Sequence, residues 1–261
     1  MGTYLHKSSL KKVNIDGKQV KVWVLSNEQF ESFNPDILGL GDITLPSKEV
    51  EGIAAMFDLS GFTKFCSQVD PYLSVPDYLS RFLDWLFKEI RDNSVQKELK
   101  DCKQVYMELP FLAKFLGDGV LFLWDTKTMS DIEICNVVTI LKGICQDYKT
   151  KFYPSIRKIV VDPPPHLRCG IARGKVFSVG NGLDYVGPCI NIAARLQRLG
   201  SLTFCFSNRG FNLKNMHENV SKQFVIKSVT MLGIGSSELI WMIDDEFKTL
   251  PREEKVQFRE P

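Results

Sequence analysis

Two apolar segments, residues 111–116 and 120–124, meet across Gly117–Asp118–Gly119. A connection this short and glycine-rich folds back on itself, because glycine takes the positive φ that a tight hairpin demands. The hairpin carries an acid at its tip. Ahead of it, Ile53–Ala54–Ala55–Met56–Phe57 is a short continuous apolar run of the buried-strand kind, and Asp58 closes it. Past Gly61 the period changes to three and four, with Tyr78, Phe82, Trp85, Leu86 and Glu89 marking a helix. Beyond the hairpin a helix fits 131–152, and Pro163–Pro164–Pro165 ends whatever precedes it. Strand-like stretches 167–172 and 175–179 meet at Arg173–Gly174, and Pro188 opens a helix running to Gly200. Short strands follow at 203–206, 223–231 and 238–243. Strand, helix, hairpin, helix, strand is the order of an α+β fold, a ferredoxin-like split βαβ sheet with helices packed on one face. Many activities share that order, so function must come from particular residues.

The flanks divide the chain further. Residues 1–50 read as an N-terminal extension, in which 13–24 alternates apolar and polar residues around Asp16–Gly17 as a β-hairpin does. Residues 51–245 read as the main domain, 92–109 as an exposed loop or insertion within it, and 246–261 as a C-terminal tail. Lys and Arg number 33 against 31 acids, a net charge of +2, which leaves no basic footprint for nucleic acid. No apolar stretch approaches the ~20 residues of a membrane span. The opening residues Met1–Lys7 lack the apolar core of a signal peptide. Seven cysteines form no C-x-x-C pair, and the three histidines (His6, His166 and His217) have no metal spacing. Reduced thiols filling core space in a cytoplasmic protein are the expectation, with neither a disulfide scaffold nor a zinc site.

Three segments carry candidate chemistry. In Phe57–Asp58–Leu59–Ser60–Gly61–Phe62–Thr63 an acid at a strand end can hold a divalent metal, and the following glycine opens backbone N–H groups toward phosphate oxygens. Taken alone, the same acid reads as a helix cap. In Lys114–Phe115–Leu116–Gly117–Asp118–Gly119 the hairpin acid can join Asp58 around a metal pair, or simply serve the turn. In the segment 184–196, Asn191 and Arg195, continued by Arg198, form one helical stripe beside the apolar stripe of Ile192, Leu196 and Leu199. The apolar stripe is core. The polar one is either a solvated face or a device for stabilising charge on oxygen.

In this order the segments resemble the class III adenylate and guanylate cyclase catalytic domain. Its pattern is F-x-D-[IL]-x-G-F-T, then K-x-x-G-D, then D-x-x-G-x-x-x-N-x-A-x-R. Leu167–Arg168–Cys169–Gly170–Ile171–Ala172–Arg173–Gly174–Lys175–Val176 matches the glycine-spaced strand before the last motif, and the resemblance spans roughly residues 50–243. It implies conversion of a nucleoside triphosphate to a 3′,5′-cyclic nucleotide and pyrophosphate. Asp58, Asp118 and the backbone carbonyl of Leu59 would hold two Mn²⁺ or Mg²⁺ ions. Asn191 would orient the ribose and Arg195 would meet charge growing on the α-phosphate. Phe57, Gly61, Phe62 and Thr63 would lie along the substrate, with Lys114 and Asp184 on the base. The resemblance also implies a homodimer whose two sites are each shared between protomers. Where the family often carries a late-turn Lys for the triphosphate, this chain reads Leu232–Gly233–Ile234–Gly235, so that task is expected to pass to Lys227 or Arg198.

A Lys donor with an Asp acceptor satisfies the edges of adenine, cytosine and uracil alike. The stretches 114–124 and 189–196 look similar to the bacterial anti-phage pyrimidine cyclases (Pycsar systems), whose cyclic UMP or cyclic CMP acts on a separate effector protein. That likeness implies a pyrimidine substrate, with an adenylate cyclase as the alternative. A reading from another class is a catalytically dead cyclase fold that only binds nucleotide. Such a module is expected to lose a metal acid or the Arg, and both acids and Arg195 are present. The diguanylate cyclase signature G-G-[DE]-[DE]-F and a Walker A sequence are both missing.

Overall fold

The computed structural model describes residues 9–68 and 70–261. They fall into two compact units, residues 9–49 with Phe177–Val186, and residues 50–176 with Gly187–Pro261. In the smaller unit β1 (Ser9–Ile15) and β2 (Lys18–Val24) pair antiparallel, with Ile15 opposite Lys18. Asp16 and Gly17 both take positive φ, 50° and 79°, the twist that a two-residue hairpin turn imposes. The short helix α1 (Asn27–Glu31) starts at a reciprocal cap between Ser26 and Gln29.

The larger unit is built on β3 (Glu49–Ser60). After the single turn α2 (Phe62–Phe65), the helix α3 (Pro71–Ser94) buries Tyr78, Phe82, Leu86 and Ile90 at a spacing of four. A two-stranded ribbon, β4 (Val95–Glu98) and β5 (Lys103–Val105), leads to the hairpin of β6 (Leu112–Phe115) and β7 (Gly119–Asp125). The helix α4 (Asp131–Asp147) begins at a capping box of Ser130 and Glu133 and buries Val137, Val138, Leu141 and Ile144. A π-type turn (Tyr148–Phe152) and α5 (Tyr153–Ile156) extend it. Then come β8 (His166–Val179), whose last three residues pair with β9 (Asp184–Val186), and α6 (Pro188–Leu196). The remaining elements are β10 (Phe204–Ser207), α7 (Glu218–Ser221), β11 (Phe224–Met231), β12 (Gly235–Ile243), α8 (Asp244–Thr249), α9 (Arg252–Lys255) and β13 (Phe258–Arg259).

The main sheet runs β13-β11-β12-β10-β8-β3-β7-β6; β8 and β10 are parallel, whereas β13–β11, β11–β12, β12–β10, β3–β7 and β7–β6 pair antiparallel. Residues Ile53, Ala55, Phe57 and Leu59 alternate along β3 into the core shared with α3 and α4. The α+β, ferredoxin-like sheet is as the element order implies, with α3 and α4 on one face and α6 on the other. On β8 the intervening Gly170 faces the other way, and α6 rests on it: a Cβ there would collide with the Ala193 carbonyl and the Gln197 amide. One close approach thus fixes the seat of the helix that carries Asn191 and Arg195.

Several expectations for local structure are corrected. Residues 92–109 are no free loop: α3 continues to Ser94, the β4–β5 ribbon follows, and Met107 is fully buried. Trp124 Nε1 donates to the Glu108 carbonyl at 2.9 Å, and Asn136 Nδ2 donates to the Tyr106 carbonyl at 2.9 Å. These contacts hold a polar sequence that alternation rules read as solvent-facing. The stretches 167–172 and 175–179 form one strand, uninterrupted at Arg173–Gly174. The helix expected to reach Gly200 stops at Leu196, and tight turns complete the path to Gly200, whose φ is 55°. No helix among the described residues is long and apolar enough to cross a membrane.

Candidate active site

Asp58 stands near the end of β3, where it pairs with Gly119 of β7. Gly119 cannot carry a side chain, since a Cβ there would run into the Phe57 carbonyl. The strands therefore close tightly at this point, and the neighbouring Asp118 is drawn beside β3, its carbonyl accepting from Leu59 N–H at 2.9 Å. Two carboxylates thus gather at one end of the β3–β7 pair. Burial pushes the Asp58 carboxyl up from its ordinary value and the charge of Asp118 adds to the rise, while Arg168 and Arg198 pull against it. Two acids, one held half-buried against its electrostatic preference, are a donor set of hard oxygens suited to Mg²⁺ or Mn²⁺. Among the described residues no group of three or more His, Cys, Asp or Glu gathers as a metal centre. A cation here has two carboxylates and backbone oxygen to use.

Gly61, at φ 86°, starts α2, with Phe62 buried below it and Thr63 exposed. Phe57 is buried in the core, so any contact it makes with a ligand is through its backbone. Arg168, on β8 beside β3, donates from its guanidinium to Ser60 Oγ at 2.8 Å. Ser60 and Arg168 line a cavity of about 940 Å³ together with His166, Lys149, Thr203 and Glu246. Burial pushes the His166 imidazole down from its ordinary value, and Lys149 and Arg168 add to that effect. Arg168 therefore places a guanidinium on the side of β3 away from the hairpin. Arg168 has no task in the sequence motifs, although a cation inside an apolar strand is itself a signal.

Asn191, Arg195 and Arg198 lie exposed along α6 and its exit, while Ile192 and Leu196 are buried beneath. With Leu199 they form one wall of a cleft of about 570 Å³, and Thr230 and Met231 at the end of β11, with Leu232 of the β11–β12 turn, form the other. Leu232, at 82% exposure, stands at the tip of that turn. Lys227 does not serve this cleft. It is buried, its Nζ bonds to the Glu260 carboxylate, and it lies 5.0 Å from the Phe247 ring centroid, so the expectation that it anchors phosphate is wrong. Arg198 does line the cleft, and its charge also pulls the Asp58 carboxyl down. Lys114, half-buried on β6, belongs to the larger unit; Asp184, half-buried at the start of β9, belongs to the smaller one and accepts from Tyr185 N–H at 2.8 Å.

No protein-family model matches the chain, and no curated protein matches it. Solved structures do. The chain is similar to the adenylyl cyclase CyaB from P. aeruginosa, at 15% identity and a TM-score of 0.57, over 76% of this chain and 96% of that one. It is also similar to the catalytic core of a rhodopsin-guanylyl cyclase with converted specificity, solved in complex with ATPalphaS, at 16% identity and a TM-score of 0.51, over 76% of this chain and 97% of that one. The protein has the class III cyclase catalytic fold.

Proposed function

We propose that the chain is a nucleotidyl cyclase, closing a nucleoside triphosphate into its 3′,5′-cyclic monophosphate with release of pyrophosphate. The observation that carries this reading is the pair Asp58 and Asp118, opposed by Arg168 and Arg198 on a class III cyclase fold. When bound, two divalent ions would lower the pKa of the ribose 3′-hydroxyl and neutralise the departing pyrophosphate. Asp58, Asp118 and the Leu59 carbonyl would hold them. Gly61, Phe62 and Thr63 would offer backbone N–H groups to phosphate oxygens, and Arg168 would anchor the triphosphate in the place of the missing late-turn Lys. Asn191 would orient the ribose, and Arg195 would stabilise charge building on the α-phosphate.

The substrate we favour is a pyrimidine triphosphate, UTP or CTP, giving a messenger for an effector protein in anti-phage defence. Its support is the similarity of residues 114–124 and 189–196 to the pyrimidine cyclases, with Lys114 and Asp184 as base readers. Adenine presents the same donor–acceptor edge, so an adenylate cyclase is the alternative. Class III likeness also supports a homodimer in which one protomer supplies the two acids and its partner supplies Asn191 and Arg195. Asp58→Asn and Asp118→Asn test the reaction itself. Each is expected to abolish Mn²⁺-dependent cyclisation and to weaken Mn²⁺ binding measured by titration calorimetry. Full activity in either variant would refute the two-acid site.

A further inference from the structure

Both walls of the Asn191–Arg195 cleft are tied to the same stretch of chain, residues 244–260. The first wall is the exit of α6. There Glu254 accepts from Ser201 N–H and Ser201 Oγ, both at 2.6 Å. Two residues further on, Glu246 accepts from Thr203 N–H at 2.8 Å and from Thr203 Oγ1. Two carboxylates thus grip alternate residues of one short segment, each through a main-chain and a side-chain donor. Charge-assisted bonds of this kind are roughly twice as strong as neutral ones. Ser201 follows Gly200 directly, so the grip falls three residues after Arg198 and six after Arg195.

The second wall is the β11–β12 turn. Phe258–Arg259 adds to β11 opposite Ser228 and Val229, and the Arg259 guanidinium donates to Thr230 Oγ1 and to the Ser236 carbonyl at 3.3 Å. Thr230 and Ser236 flank the turn that carries Leu232, and Thr230 itself lines the cleft. Between these two grips the segment is anchored by apolar contacts. Leu250 and Phe258 are buried, and the Phe247 and Phe258 rings meet edge to face at 5.7 Å.

We infer that residues 244–260 form a clasp that sets the separation of the two cleft walls, with Glu246, Glu254 and Arg259 as positioning residues for the groups on α6. The clasp touches neither Asn191 nor Arg195; it fixes the helix exit and the facing turn between which they work. The consequence for turnover rests on the cyclase reading above, whereas the mechanical coupling of the two walls does not. Misplacement of a catalytic group by about 1 Å costs up to roughly a hundredfold in rate, so the clasp is expected to act on kcat more than on KM.

The test compares the full chain with Glu246→Ala/Glu254→Ala, Glu246→Gln/Glu254→Gln and Arg259→Gln. Backbone hydrogen exchange at residues 198–204 and 230–236 is followed by mass spectrometry, beside kcat and KM for cyclic nucleotide. The double alanine variant is expected to lose protection at 198–204 and about tenfold in kcat, with KM changed less than about twofold. The double glutamine variant, which keeps an acceptor, is expected to recover part of both. Arg259→Gln is expected to loosen 230–236 and decides the matter if the double alanine variant does not fold. Unchanged exchange at both walls in folded variants overturns the clasp. If the wild-type chain cyclises none of the triphosphates, the cyclase reading falls, and the exchange data still decide the clasp.

Discussion

Asp58 and Asp118 lie side by side because Gly119 lets β7 come against the Phe57 carbonyl, and the chain answers their charge with arginines from two other elements. The charges of Arg168, bonded to Ser60, and of Arg198, just past α6, both pull the Asp58 carboxyl down. If Arg168 anchors the triphosphate, Arg168→Gln should raise KM by about tenfold while lowering kcat less, the cost of one charge-assisted hydrogen bond. Leu232 gives the converse experiment. It occupies the tip of the cleft wall at 82% exposure, so a longer cationic side chain there meets no steric barrier. Leu232→Lys should lower KM several-fold, about 1 kcal/mol of added binding, measured with labelled triphosphate; no change would mean that the phosphates do not reach this turn. Both acids, Asn191 and Arg195 were legible in the sequence because their spacing is local. Arg168 was not, because its partner Ser60 is 108 residues away and only the pairing of β3 with β8 unites them.

At the scale of elements, the π-type turn after α4 is held by a chain of hydroxyls. Tyr148 Oη donates to the Pro164 carbonyl at 2.5 Å and receives the Tyr78 hydroxyl at 2.7 Å, tying α3 and the turn to the proline-rich approach to β8. Tyr148→Phe leaves a buried carbonyl and a buried hydroxyl unpaired and should cost about 2–3 kcal/mol in urea unfolding. Tyr78→Phe leaves Tyr148 still bonded to Pro164 and should cost nearer 1 kcal/mol. Equal losses would contradict this direction of donation. The strands, the hairpin and α3 were readable because burial writes its period into the residues. The β4–β5 ribbon was not: its residues are almost all exposed, so no apolar alternation marks it, and long-range bonds from Trp124 and Asn136 hold the segment after it. The end of α6 was misread for a related reason. Its apolar stripe continues to Leu199, but the chain tightens after Leu196 to reach the Glu254 grip at Ser201.

For the whole molecule, the proposed sharing of sites between protomers makes a prediction that no single-chain account shares. Asp58→Ala and Arg195→Ala chains, each inactive alone, should regain about a quarter of wild-type activity when co-assembled in equal amounts, since half the dimers are mixed and each holds one intact site of two. A mixed assembly verified by mass and still inactive would mean that each chain completes its own site. Whether this fold, with Asp58, Asp118, Asn191 and Arg195, cyclises a nucleoside triphosphate is settled by incubating the purified protein with ATP, GTP, CTP and UTP separately in the presence of Mn²⁺ and identifying products by mass spectrometry. A 3′,5′-cyclic pyrimidine nucleotide and pyrophosphate are expected from UTP or CTP, and neither with Asp58→Asn. Product from ATP alone would overturn the choice of base, and no cyclic nucleotide from any of the four would contradict the cyclase itself.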